Sequence, residues 1–349
     1  MTIRRVACAL ILLACLAAPV TASAQGDVRT ALAWLRSQQN PDGGFSNGFS
    51  EGSDIGATAD AVLAVASAGQ NPSTWTQDGV SPLDSLAAHV GQIRDAGLAA
   101  KVTLAAVAAG QDPHVFGGAN LIELMLAGFD AKTGFFGGGP YDSALAILAL
   151  RTAGEPLPAM AVDGLVAARL PDGSYSFNGD LTPGAGDSNT TSLAIQALLI
   201  AGAGDEAGPS LDYLRRAQNA DGGWTYQKPS AFGEDTDANS TALGIAALLA
   251  AGQDLAAWGH PERALQSLQM ASGAWMFNPA TPNENLLATV QAIPAVAGVD
   301  LTDVALLPGR WGAEAGRGLS QGIVVATLAL IVVLLLATAI VTRPTGPAA

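Results

Sequence analysis

Cysteine is nearly missing from this chain. Of 349 residues only Cys8 and Cys15 are cysteines, and both fall in a stretch laid out as an export signal. Arg4 and Arg5 come first, then the apolar run from Val6 to Ala18, then Ala22-Ser23-Ala24 before Gln25. Cleavage after Ala24 leaves no thiol, which excludes disulfides, a cysteine nucleophile and a thiolate metal site. A lipid attached at Cys15, in Leu12-Leu13-Ala14-Cys15, is the alternative processing route. Basic residues are scarce as well. Loss of Arg4 and Arg5 with the signal takes Lys plus Arg from 16 to 14 against 30 Asp plus Glu, and the net charge from -14 to -16. Such a surface disfavours nucleic acid and anionic lipid as partners. The three histidines, His89, His114 and His260, stand at unrelated places. The acidic loops Glu234 to Asp237 and Asp180 to Asp187 lack the alternating ligands and distal glutamate of a calcium hand, so they read as solvated loops.

One long apolar run is present outside the signal. Ile323 to Val341 carries no charge and at 1.5 Å per residue is long enough for a hydrocarbon core of about 30 Å. The expected layout is a signal over 1–24, an outside domain over 27–304, a juxtamembrane linker over 305–322, one membrane helix over 323–341 and a cytoplasmic tail over 342–349. Arg343 in the tail agrees with the positive-inside tendency.

Within the outside domain, six glycines each follow an apolar helical run: Gly69, Gly110, Gly154, Gly202, Gly252 and Gly298. Glycine supplies the left-handed residue that ends a helix, and Gln70-Asn71-Pro72, Gln111-Asp112-Pro113 and Glu155-Pro156 then block continuation. Their near-regular spacing marks a repeat. Fifteen residues before each glycine stand Asp54, Asp95, Gly139, Asp187, Asp237 and Asn283. Short oxygens there cap a helix N-terminus. The helices they open are apolar almost all round and must be buried on every side. A second, amphipathic helix precedes most of them: Val28 to Gln39, Pro82 to Ile93, Ala159 to Ala168, Pro209 to Asn219 and Glu262 to Met270, with the third copy near Leu121 to Leu126. Six buried helices with no polar face need cover on all sides, which a closed ring gives. The expected fold is all-α, an (α/α)6 toroid.

Three segments repeat a finer pattern. Trp34-Leu35 with Gln39 and Gly43-Gly44-Phe45, Leu214 with Gln218 and Gly222-Gly223-Trp224, and Leu265 with Gln269 and Gly273-Ala274-Trp275 resemble the Gln-Trp repeats of squalene cyclases and protein prenyltransferase β-subunits. Gly134-Phe135-Phe136 and Gly173-Ser174-Tyr175 are weaker copies. The resemblance implies that the glutamine closes an outer helix, the glycines turn the chain and the ring plugs a seam. Cyclases of this superfamily protonate an alkene with an Asp-x-Asp-Asp-Thr-Ala motif. The matching stretch here, Asp237-Ala238-Asn239-Ser240-Thr241-Ala242, has an amide at the acid position, which disfavours that chemistry. Zinc-dependent prenyl transfer is disfavoured by the missing cysteine. The ending Thr289 to Gly298 resembles the last inner helix of the intrinsic factor and transcobalamin family, which implies an exported binding domain and cobalamin or a related corrinoid as ligand, although the second domain that closes that family's site has no counterpart here.

Thirteen residues before the terminal glycines stand Gly56, Gly97, Tyr141, Asn189, Asn239 and Asn285. Capping does not require these amides. With Asp187 and Asp237 they form a candidate arc, Tyr141, Asp187, Asn189, Asp237, Asn239 and Asn285, over an apolar funnel; the competing account is local capping and turn bonds. The sequence therefore points to a noncatalytic, membrane-tethered module that takes a small molecule or another cell-surface protein. A carbohydrate-active hydrolase or lyase, with Asp54, Asp187 and Asp237 as its acids, is the first alternative, and a purely structural surface domain the second.

Overall fold

The computed structural model describes residues 22–311 except 50, 51 and 232. The first 21 residues of the expected signal, the linker from 312, the apolar run 323–341 and the tail lie outside the described residues. Among the described residues no single helix is long and apolar enough to cross a membrane.

Among the described residues twelve α-helices alternate between an outer and an inner layer. The outer ones are α1 (Ala22–Ser37), α3 (Pro82–His89), α5 (Leu121–Ala127), α7 (Ala161–Ala167), α9 (Gly208–Ala217) and α11 (Pro261–Ser267). The inner ones are α2 (Ile55–Ser67), α4 (Ala96–Ala108), α6 (Pro140–Thr152), α8 (Ser188–Ile200), α10 (Ala238–Ala250) and α12 (Leu286–Val296). Each inner helix packs on the next, and α12 packs back on both α2 and α1, so the six hairpins close into a ring. Two small hairpins, β1 (Phe129–Asp130) with β2 (Phe135–Phe136) and β3 (Trp275–Asn278) with β4 (Thr281–Asn285), lie on the turns that lead into α6 and α12.

The punctuation seen in the sequence is the punctuation of the structure. All six terminal glycines have φ between +62° and +81°. In each, the glycine N–H and the next N–H bond back to carbonyls inside the helix, as Gly69 to Ala66 and Gln70 to Val65 do at 3.0 and 3.1 Å. At the other end, Asp54, Asp95, Asp187 and Asp237 accept a first-turn amide through their side chains. Gly139 caps without a side chain. The sixth cap is Asn285, two residues later than counting back from Gly298 places it. Strand β4 runs directly into α12 and shortens that helix to 11 residues, whereas the other five have 13; Asn283 is left exposed on the strand.

The turns weld neighbouring hairpins together. Four residues after the cap, a hydroxyl (Thr58, Ser143, Thr191, Thr241 or Thr289) accepts the backbone N–H of the turn aromatic Phe45, Phe136, Tyr175, Trp224 or Trp275 at 2.9 to 3.0 Å. The second unit has Ala99 there and no such turn; a 3-10 segment, Val90–Gln92, joins α3 to α4 instead. The first glycine of each turn abuts the next outer helix or the residues just before it. A Cβ on Gly43 would lie 2.5 Å from the Ser81 carbonyl oxygen and one on Gly222 2.7 Å from that of Gly259, while one on Gly273 would run into the Thr30 backbone of α1 and so marks the closing seam.

The Gln-Trp glutamines span two units. Gln39 donates to the carbonyls of Gly43 and Trp75, and Gln218 to those of Gly222 and Trp258, at 2.6 and 2.7 Å. Trp75 and Trp258 are buried under Arg36 and Arg215 of the preceding outer helices, 4.6 and 3.6 Å from guanidinium to ring. Gln218→Ala leaves two carbonyls without their donor, and a loss of about 2 kcal/mol is expected, read as a lower urea midpoint at unchanged slope.

Chain packing continues past 304. The 3-10 segment Leu301–Arg310 crosses the C-terminal ends of the inner helices and buries Val304 and Leu307 among them, with Pro308 and Trp311 seated on Gly110. It closes one end of the ring.

Candidate functional site

The inner helices all run in the same direction, so their N-termini gather at one end and their C-termini at the other. The C-terminal end is sealed by Val299 and by Leu301, whose N–H donates to Gln196 of α8 at 3.0 Å. Between this floor and the mouth lies a cavity lined by side chains from all six inner helices.

Counting from each cap resolves the lining into layers, because residues three and four apart share a helix face. Two residues on, at the mouth, stand Gly56, Gly97, Tyr141, Asn189, Asn239 and Leu287. Six residues on, one turn deeper, stand Asp60, Lys101, Leu145, Leu193, Leu243 and Gln291, every one of which lines the cavity. Nine residues on come Leu63, Leu104, Leu148, Gln196, Ala246 and Pro294. The deepest layer is apolar apart from Gln196, which is fully buried and already bonded to Ser192 and Leu301.

The middle layer holds charges that are not among the residues of the arc expected from the sequence. Lys101 Nζ donates to Asp60 at 3.0 Å across the α2/α4 seam, and the two side chains keep 21 % and 12 % exposure through the cavity. A ligand in the bore can therefore reach them. Burial is the largest influence on Lys101 and works against its charge, but Asp60, Tyr141 and Asp54 together outweigh it and hold the ammonium above its ordinary pKa. On the opposite side of Asp60, Gln291 of α12 accepts from Asn239 Nδ2 of α10 at 2.8 Å. That bond takes one of the two lone pairs of its carbonyl, and its amide N–H groups can donate to an acceptor on a ligand. Tyr141 of α6 lines the bore above Lys101; burial lifts its phenol above the usual value, so it stays protonated.

Of the six candidate residues read from the sequence, Tyr141 lines the cavity and Asn239 fixes a residue that does. Asn189 is half-buried and accepts from the Ser188 hydroxyl at 3.2 Å. Asp187, Asp237 and Asn285 are engaged as caps. Asp187 is 1 % exposed and takes the N–H and hydroxyl of Thr190; Asp237, 2 % exposed, takes those of Ser240. Burial pushes both carboxyls up to about 6, with those hydrogen bonds and contacts from Tyr226 pulling the other way. Asn285 accepts from Ala288.

Exposed aromatics stand on the mouth loops. Two residues after the turn ring come Phe177, Tyr226 and Phe277, exposed by 52, 43 and 37 %. Their loops reach back over the preceding inner helix: the Phe177 carbonyl accepts from the Tyr141 N–H and its ring lies 4.8 Å from that of Tyr141, while the Tyr226 carbonyl accepts from the Ser188 N–H. The aromatic-x-aromatic spacing of Tyr175/Phe177, Trp224/Tyr226 and Trp275/Phe277 was legible as a second repeat signal.

With the bore and its closed floor in view, solved structures of the same shape can be placed beside it. Type II terpene cyclase MstE from Scytonema matches with a TM-score of 0.60 at 13 % identity, over 80 % of this chain and 98 % of that one. The fold is an α/α toroid. An unsaturated glucuronyl hydrolase specific for heparin matches this toroid with a TM-score of 0.59 at 11 % identity, over 79 % of this chain and 96 % of its own. A variant of the Scytonema cyclase in complex with its substrate, geranylgeranyl dihydroxybenzoate, matches at 0.58 and 13 %, over 81 and 98 % of the two chains. At these identities the likeness is one of fold. No family model matches the sequence, and no curated protein sequence matches it.

Proposed function

We propose that the toroid binds an elongated, largely apolar small molecule in its central cavity and does no chemistry on it. One observation carries this reading: Asp60 is the one carboxylate among the residues lining the cavity, and it is paired with Lys101. Alkene protonation needs an uncharged, strong acid facing the substrate; burial raises the Asp60 pKa and so weakens it as an acid, while the Lys101 ammonium at 3.0 Å works against that rise and favours the carboxylate form. Glycoside cleavage needs two carboxyls flanking one bond. The exposed rings of Phe177 and Tyr226 would suit a sugar, but Asp187 and Asp237 behind them are almost wholly buried and bonded to their own helices. An apolar bore with a few convergent polar groups is the usual makeup of a small-molecule site. That a toroid of the same fold holds geranylgeranyl dihydroxybenzoate supports the match of such a bore to a long apolar ligand.

The test uses the uncharged dye N-phenyl-naphthylamine, whose fluorescence rises in apolar surroundings. The wild-type protein is expected to bind it saturably. Ala246→Trp, which fills the third layer, should weaken binding at least about 100-fold, a loss of about 2.7 kcal/mol, while leaving cooperative unfolding in place. Equal dye binding by both proteins would place the ligand elsewhere. Mass spectrometry of what copurifies then identifies the natural occupant, a corrinoid being recognised by its visible absorbance.

A further inference from the structure

We infer that the cavity selects ligands whose polar end is uncharged, and that the Asp60–Lys101 pair is what sets this selectivity. The inference rests on the binding reading above and adds the chemical class: a hydrocarbon chain or ring ending in an alcohol, ketone or ester, with carboxylates excluded.

The polar groups of the bore lie in one arc. Gln291 on α12, Asp60 on α2, Lys101 on α4 and Tyr141 on α6 occupy four consecutive inner helices, while α8 and α10 present Leu193, Ala242, Leu243 and Ala246. Below the arc are Leu63, Leu104 and the floor residues Val299 and Leu301, so the apolar end of a ligand goes down and its polar end stops at the middle layer. What the arc offers there is mostly donors. Lys101 uses one N–H on Asp60 and keeps two; Tyr141 has its hydroxyl; Gln291 has its amide N–H groups, while Asn239 takes one lone pair of its carbonyl. An oxygen acceptor is the natural guest.

Charge then decides which oxygen. The Lys101 ammonium is already balanced by Asp60 at 3.0 Å, so the unliganded bore is neutral. An alcohol, ketone or ester oxygen accepts from the arc and leaves it neutral. A carboxylate adds one uncompensated negative charge inside an apolar wall, beside Asp60, and the lost hydration of that ion outweighs what two ammonium N–H groups return. Removing the acid reverses this balance: with Asp60→Asn the ammonium is unpaired, and a carboxylate becomes its counter-ion.

Displacement of N-phenyl-naphthylamine by dodecanol, methyl laurate and laurate separates the cases. In the wild type, dodecanol and methyl laurate should displace the dye at concentrations at least about tenfold below that required for laurate. In Asp60→Asn the order should invert, with laurate gaining tenfold or more and dodecanol little changed. Laurate displacing the dye from the wild type as well as dodecanol does would overturn the selectivity while leaving the cavity reading intact. Dye binding that Ala246→Trp does not weaken would overturn the cavity reading itself. If Asp60→Asn fails to melt cooperatively, Asp60→Ser takes its place as the variant that leaves the Lys101 ammonium unpaired, and laurate that still ranks well below dodecanol there would overturn the role of the pair.

Discussion

Replacing Gly273 by alanine should cost the toroid about 4 kcal/mol and free α1 from the ring. Gly273 has φ +94°, and a Cβ there meets the backbone of Thr30 and Ala31 in α1. Two penalties add. Left-handed backbone costs an L-residue about 1–2 kcal/mol, and forcing a methyl into a packed seam costs about 1–3 more. Neither partner can rotate away, because what the methyl strikes is main chain on both sides. The seam is also unlike the other five, since it joins the last hairpin to the first. Its remaining ties include Trp34 Nε1 to Glu284 at 2.9 Å and the burial of Ala31, Leu32 and Leu35 with Leu265, Trp275 and α12. Gly184→Ala is the control: its φ is +85° but nothing stands near its Cβ, so only the strain of about 1 kcal/mol is expected there. Urea denaturation measures both losses, and limited proteolysis shows whether α1 is released in the first variant alone. Losses of equal size at the two sites would mean that backbone strain, and not a tight closing seam, explains the glycine.

The ring and its punctuation were legible because they depend on single residues doing local work. A glycine that must take positive φ, an aspartate that must accept a first-turn amide and a glutamine that must bridge two carbonyls leave the same mark in every copy. The sixth unit shows the limit of that reading. Counting back from Gly298 gave Asn283 as the cap, and the two-residue offset introduced by β4 also moved Asn285 from the mouth to the cap and hid Gln291. Counted from the caps instead, Asp60, Lys101 and Gln291 fall at one repeat position, and two charged residues inside otherwise Ala/Leu-rich helices were visible from the start. What the residues alone did not reveal is that this position faces the bore, that Lys101 meets Asp60 there, and that Leu301–Arg310 returns to seal the floor. Those facts depend on how six helices are rotated about their own axes, which no local signal fixes when each helix is apolar all round.

The same caps predict that stability falls as pH rises through 6. Asp187 and Asp237 ordinarily titrate near 3.8, and burial lifts each to about 6 in the folded chain. Between those values the folded state holds protons that the unfolded state has released. The stabilisation is therefore complete below the unfolded value and lost as pH climbs through the folded one. A shift of about two units corresponds to about 3 kcal/mol per group over the whole span, and about 2 kcal/mol of it falls between about pH 4.5 and pH 7.5. Exposed acids such as Asp112 and Asp180, whose pKa values hydrogen bonds lower, act in the opposite sense, so the total curve mixes both. Asp187→Asn combined with Asp237→Asn isolates the two groups, since asparagine caps a helix about as well as aspartate but does not titrate. The stability difference, variant minus wild type, should grow by about 4 kcal/mol on going from about pH 4.5 to pH 7.5, measured by urea denaturation at each pH. A difference that does not change with pH would mean that both carboxyls ionise in the folded protein as they do in water, and that the entry ends of α8 and α10 are wetter than their 1 and 2 % exposure implies.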